Sequence, residues 1–165
     1  YIVEPGHTFV YFEVVHSGTS TTRGRFDDVR GTITLDQTAK TGHAEIVVDP
    51  ASVSSGIVPF DEHLRNADFL NAGVFPKVTF TGDGFRFEGE KITALSGVLT
   101  LLGKAQPATL LATRFNCYDN PRNKSHICGG DFSTTIRRSA HGMNFGLPGI
   151  PDEVRIVIQI EAIRQ

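Results

Sequence analysis

From residue 153 to residue 161 the chain alternates between polar and apolar side chains with a period of two. Val154, Ile156, Ile158 and Ile160 fall on one face, and Glu153, Arg155, Gln159 and Glu161 fall on the other, with Val157 the one apolar exception. Successive side chains of a strand point to opposite sides, so this spacing makes a strand with one dry and one wet face. The same rhythm recurs along nearly the whole chain. It runs over residues 7–15, where Val10, Phe12, Val14 and then His16 share a face, and a turn follows at Ser17-Gly18-Thr19-Ser20. It returns over 32–35 and 44–48 around a polar connection at 37–42. Val78 and Phe80 open a further pair, with a predicted turn at Gly82-Asp83-Gly84 before Phe85 and Phe87. Residues 92–101 and 108–115 pair across a break at 103–107, and Phe132, Thr134 and Ile136 continue the pattern. About eight such strands, with no second helical layer, must bury their dry faces against one another, which a closed barrel or a sandwich achieves.

Residues 59–72 depart from that period. Phe60, Leu64 and then Ala67 or Phe69 form an apolar stripe at helical spacing, Asp61 is a suitable N-cap, and Gly73 and Pro76 stop the segment. A single short amphipathic helix in an all-β chain is expected to close one end of the barrel, either as a plug or as a lid over a cavity.

The chain of 165 residues suits one domain, spanning 1–165, with a substantial core. A formal charge of −2 gives no general pull toward nucleic acid or an anionic membrane. Twelve Phe and no Trp make an aromatic set with no polar handle to satisfy, suited to an apolar lining as well as to a core. No apolar run reaches the roughly 18 to 20 residues that cross a bilayer as a helix. The numbering begins inside what reads as mature sequence, where a leader removed in processing would leave no trace.

Cys117 and Cys128 flank a polar loop and are the only two cysteines. Such a pair is compatible with an oxidising compartment and one disulfide stapling a long connection between two strands. The competing reading is a metal site using both thiols and His126, although zinc sites usually show closer Cys pairs and four ligands.

Catalytic signatures are missing. His7, His43, His63, His126 and His141 are scattered among segments with no HExxH spacing, Gly-x-Ser-x-Gly is absent, and Cys128-Gly129-Gly130 leads into a strand rather than a phosphate-binding helix. His16 ends a strand on the face shared by Phe12 and Val14, which makes it a rim or core residue or a ligand contact. Arg137 and Arg138, at a strand end beside Gly142 and Met143, either place a guanidinium at the barrel mouth for an anionic or polar head group, or solvate the strand end, or form an ion pair with Asp61 or Asp152.

Several segments, in order and spacing, resemble the YceI-like family over almost the whole chain. They are His7-Thr8-Phe9-Val10-Tyr11-Phe12-Glu13-Val14-Val15-His16, Gly24-Arg25-Phe26, Asp61-Glu62-His63-Leu64-Arg65-Asn66-Ala67-Asp68-Phe69 and Phe75-Pro76-Lys77-Val78-Thr79-Phe80. Gly97-Val98-Leu99-Thr100-Leu101-Leu102-Gly103, Arg138-Ser139 with Gly142-Met143, and Asp152-Glu153-Val154 complete the set. The resemblance implies an eight-stranded antiparallel lipocalin-like barrel with one short helix closing an end. It also implies a tunnel for a long apolar chain such as a polyisoprenoid, an isoprenoid quinone or a fatty-acyl compound. Periplasmic or exported location, transient contact with a membrane or membrane protein, and pairing as a homodimer belong to the same expectation, as does a cysteine-bearing branch with a Cys117–Cys128 disulfide. Gly103-Lys104-Ala105-Gln106-Pro107 departs from the usual turn of the family, and His141 stands where an aromatic residue is common.

The leading expectation is therefore non-catalytic binding, transport or sequestration of a long-chain lipid, with no cofactor and no metal required. Val10, Phe12, Val14, His16, Phe80, Leu99, Ile136, Val154, Ile156 and Ile158 would line the tunnel. Leu64, Phe69 and Met143 would close an end, and Arg65, Arg138 and His141 would stand at the mouth near the polar head. The alternatives are an enzyme acting on a lipophilic substrate with His16 or His141 as acid–base, and a filled barrel acting only through protein contacts.

Overall fold

The computed structural model describes residues 1–165. One antiparallel sheet contains β1 (Ile2–Val3), β2 (Phe9–His16), β3 (Ser20–Phe26), β4 (Val29–Asp36), β5 (Thr41–Val48), β6 (Val53–Ser54), β7 (Val78–Glu88), β8 (Lys91–Leu101), β9 (Lys104–Asp119), β10 (His126–Arg137) and β11 (Glu153–Ile163). β1 and β2 are two pieces of one stave, because both pair with β11. β3 and β4 are likewise one stave, facing β2 and β1 in turn. Counted this way, eight staves follow one another in chain order and the last returns to the first. Closure removes the free edges that an open sheet would expose.

The polar faces point outward as the alternation requires. On the outside of the β3–β2–β11 wall, Glu13 accepts from Arg23 Nε at 2.8 Å and from Arg155 Nη1 at 2.7 Å. Inside, Phe12, Phe26, Val29, Val48, Val53 and Val154 gather beneath Leu64, Phe69 and Leu70 of the helical segment, forming the main apolar cluster at one end.

Four local expectations are corrected, two in the strands and two in the helix. Gly82-Asp83-Gly84 is a bulge inside β7, seen as a register shift against β8, and the chain turns instead at Gly89, whose φ is 61°. A bulge draws on the same small residues as a turn, so the two look alike in sequence. The break expected over 103–107 is only Leu102-Gly103, both at positive φ, and β9 resumes at Lys104. Pro107 is tolerated because that part of β9 pairs with β8 alone, leaving one side free for a residue without an N–H.

The helix, α1, spans Val58–Arg65 and is shorter than 59–72. Ile57 is its N-cap, with no side-chain bond; Asp61 sits inside the first turn and accepts from Ser55 N at 2.7 Å and Ser55 Oγ at 2.6 Å, tying the helix to the segment before it. β3 was not foreseen as a strand, since only Gly24 and Phe26 in it are buried.

Candidate functional site: an apolar cavity inside the barrel

Inward-pointing residues of the staves do not meet in the middle. They enclose a cavity of about 540 Å³ in which 38 of the 47 lining residues are hydrophobic. Small-molecule sites typically occupy roughly 300–1,000 Å³. The hollow also explains why only 28 of 165 residues are buried: Val10, Val14, Ile136, Ile156 and Ile158 point inward yet face open space rather than one another. A filled barrel would have buried them.

All ten residues assigned to the tunnel wall, Val10, Phe12, Val14, His16, Phe80, Leu99, Ile136, Val154, Ile156 and Ile158, line this cavity. Leu64, Phe69, Met143 and Arg138 line its helical end. Arg65 and His141 do not. Arg65, the last residue of α1, turns back onto the segment before the helix, donating from Nε to Ala51 O and from Nη2 to Val53 O, each at 2.8 Å.

The mouth is built by α1 and the segment 138–151. His63, Phe69 and Phe145 meet edge to face, with ring centroids 4.9 Å apart for His63–Phe69 and 5.3 Å for each ring with Phe145. Asp68 Oδ2 lies 2.9 Å from His63 Nε2 and fixes that ring from the helix side. Phe145 remains 43% exposed, so this aromatic latch closes the mouth from the solvent side. Neither His63 nor Phe145 stood out in the sequence, because the partners lie far apart along the chain.

Arg138 organises the mouth rather than waiting for a head group. It is 3% exposed and donates from Nε to Pro151 O, from Nη1 to Met143 O and Phe145 O, and from Nη2 to Ile150 O, all at 2.8–2.9 Å. Burial lowers its pKa. Asp152 anchors the same segment by accepting from Ser139 N and Ser139 Oγ at 2.8 Å each, and these bonds hold its carboxyl below the ordinary value. The expected ion pair between Arg138 and Asp152 is replaced by these separate anchors.

His141 has a different task. Above Leu111, β9 no longer pairs with β10, which leaves a seam in the wall. His141, 2% exposed, donates from Nδ1 to Lys104 O at 3.0 Å, and Gln106 Nε2 donates to Ala140 O at 3.1 Å. These two bonds stitch the seam. His16 lines the cavity at the tip of the β2–β3 hairpin, exposed, and its ring makes no hydrogen bond.

At the opposite end, Cys117 and Cys128 face each other across β9 and β10 and are joined in a disulfide, with Cα atoms 4.1 Å apart. Cys128 and Tyr1 contribute to the lining there, so the bridge forms part of the cavity floor.

An eight-stave antiparallel barrel with a hollow apolar interior, one capping helix and a floor disulfide is a lipocalin-like barrel. The chain belongs to the YceI-like family, whose domain model matches residues 1–162. Protein YceI of Salmonella arizonae is 31% identical over 163 residues, covering 98% of this chain and 84% of that protein. Among solved structures, BcnA of Burkholderia cenocepacia superposes with a TM-score of 0.77 at 24% identity, over 97% of this chain and 99% of BcnA. A polyisoprenoid binding domain from Saccharophagus degradans, implicated in plant cell wall breakdown, superposes with a TM-score of 0.71 at 16% identity, over 99% and 98% of the two chains.

Proposed function

We propose that this protein binds a long-chain apolar ligand, such as a polyisoprenoid, an isoprenoid quinone or a fatty-acyl compound, inside the barrel, and carries or sequesters it without altering it. The observation that carries the reading is the continuous apolar hollow of about 540 Å³. Each methylene moved from water into such a space contributes about 0.8 kcal/mol, so a long alkyl or prenyl chain gains affinity with few polar contacts. The polyisoprenoid binding domain of Saccharophagus degradans shares the fold and supports the same ligand class here. The wall residues Val10, Phe12, Val14, Phe80, Leu99, Ile136, Val154, Ile156 and Ile158 grip the chain, while Leu64, Phe69 and Met143 close over its end and His16 stands at the rim.

The disulfide supports a periplasmic or exported setting, where such bridges persist. In that setting the protein collects or delivers its ligand through transient contact with a membrane or a membrane protein.

Lipid extraction and native mass spectrometry of protein purified from its host test the proposal. The expected result is a bound long-chain lipid, recovered chemically unchanged. Ala108 lines the cavity, and Ala108→Phe fills it. That variant should fold and lose uptake at least tenfold. A wild-type protein that neither retains nor takes up any long-chain lipid would sink the reading.

A further inference from the structure

At the cavity floor, β9 and β10 present three alternate rungs on one face: Phe115 opposite Gly130, Cys117 opposite Cys128, and Asp119 opposite His126. Every second rung of an antiparallel ladder shares a face, so the His126–Asp119 pair stands directly beside the disulfide. Asp119 Oδ1 lies 2.7 Å from His126 Nδ1. A carboxylate only accepts, so Nδ1 donates to Asp119, and the ring turns its Nε2 toward Cys128 Sγ, 3.7 Å away.

Donors also surround the sulfurs. Gln37 Nε2 lies 3.7 Å from Cys117 Sγ, and Tyr1 OH lies 3.5 Å from Cys128 Sγ. The ligand atoms of Cys117, His126 and Cys128 all lie within 4.8 Å of one another. A carboxylate orienting a histidine whose other nitrogen faces a cysteine sulfur matches the outer-shell arrangement of a metal site.

We propose that reduction of the Cys117–Cys128 bridge converts this end of the barrel into a site for one thiophilic d10 cation, Zn(II) or Cu(I). Cys117 Sγ, Cys128 Sγ and His126 Nε2 are its ligands, and Asp119 positions the imidazole. A dithiol reductant supplies two electrons: its two S–H groups become a disulfide, the Cys117–Cys128 bond breaks, and each released sulfur takes one proton. The metal then displaces both protons. Two thiolates at about 2.3 Å and one imidazole at about 2.0–2.1 Å neutralise Zn(II) and leave the fourth position for water. The long β9–β10 and β10–β11 ladders hold the register while the two sulfurs part. His126 remains 32% exposed, which gives an ion a way in. A disulfide of a second thiol–disulfide pair, accepting two electrons and two protons to become two thiols, restores the Cys117–Cys128 bond and releases the metal, so occupancy follows the thiol state.

The test uses the full chain, reduced with a phosphine that is removed under anaerobic conditions and then titrated with Zn(II) against a chromogenic chelator. Co(II) serves as a spectroscopic stand-in. The reduced protein is expected to bind one equivalent with sulfur-to-cobalt charge-transfer absorption, and the oxidised protein none. His126→Ala keeps both cysteines and should bind at least tenfold more weakly; Asp119→Asn should weaken binding about 10–100-fold. Circular dichroism of the reduced, metal-free chain must show a folded barrel. Reduced protein that binds no more metal than oxidised protein, a His126→Ala variant indistinguishable in affinity and cobalt spectrum, or a reduced chain that unfolds would each overturn the proposal.

Discussion

The ring of Phe12 lies over Gly24 on the facing rung of β3, so close that a methyl group on Gly24 would sit 2.5 Å from two of the ring's carbons. The contact shows what the glycine is for: it leaves room for an aromatic ring on the cavity wall. Gly24→Ala should drive that ring into the hollow or strain the hairpin, lowering stability by about 1–3 kcal/mol. Thermal melts read the first effect, and displacement of a fluorescent fatty acid reads the narrowed cavity. A variant that melts and binds like the parent would show that the ring moves freely.

Arg138 satisfies four backbone carbonyls in the segment that frames the mouth. Arg138→Met removes every donor while keeping an apolar stem, and should lower stability by about 3 kcal/mol or more in urea denaturation. Arg138→Lys keeps the charge without the planar fork and should recover only part of the loss.

Asp152 makes the mouth acid-sensitive. Its folded-state pKa lies below the ordinary 3.8 because Ser139 donates two hydrogen bonds to the charged form. The unfolded chain therefore binds the proton more readily. The stabilisation is present above the unfolded value and is lost as pH falls through the lower, folded value. Melting temperature followed from neutral pH down to acid should fall more steeply for the parent than for Asp152→Ala, and the two curves should converge at the acid end.

Replacing both Cys117 and Cys128 with Ser should lower stability by about 3 kcal/mol, the loop-entropy cost for a bridge of sequence separation 11. The barrel should still close, since β9 and β10 pair on both sides of the bridge. Retained lipid uptake with a lower melting midpoint is the expected result. Loss of uptake with an unchanged midpoint would show that the floor matters to the ligand rather than to the fold.

Much of the wall was legible because period-two alternation encodes which side chains face inward, and a barrel has only one inside. Ile156 and Ile158 could be placed from spacing alone. Polar side chains at strand ends were harder. Arg65, Arg138 and His141 each have a long or ring-shaped side chain that turns back onto backbone carbonyls, and no periodicity records that choice. β3 gives no clear alternation because its outward residues are Thr21, Arg23 and Arg25, while its inward positions hold Ser20, Thr22 and Gly24 besides Phe26. The latch of His63, Phe69 and Phe145 depends on a meeting between α1 and a loop some 80 residues later, which local pattern does not encode.

Main-chain pairing between β9 and β10 stops at Leu111, and beyond it the wall relies on the His141 and Gln106 side chains. Parting the wall there breaks two bonds instead of a whole ladder, so local opening is easier at this place than elsewhere around the circumference. Amide protons of 104–110 that point away from β8 should exchange with deuterium sooner than those of 111–119. The circumference of the barrel should therefore give first at this seam, while the long ladders on either side stay closed.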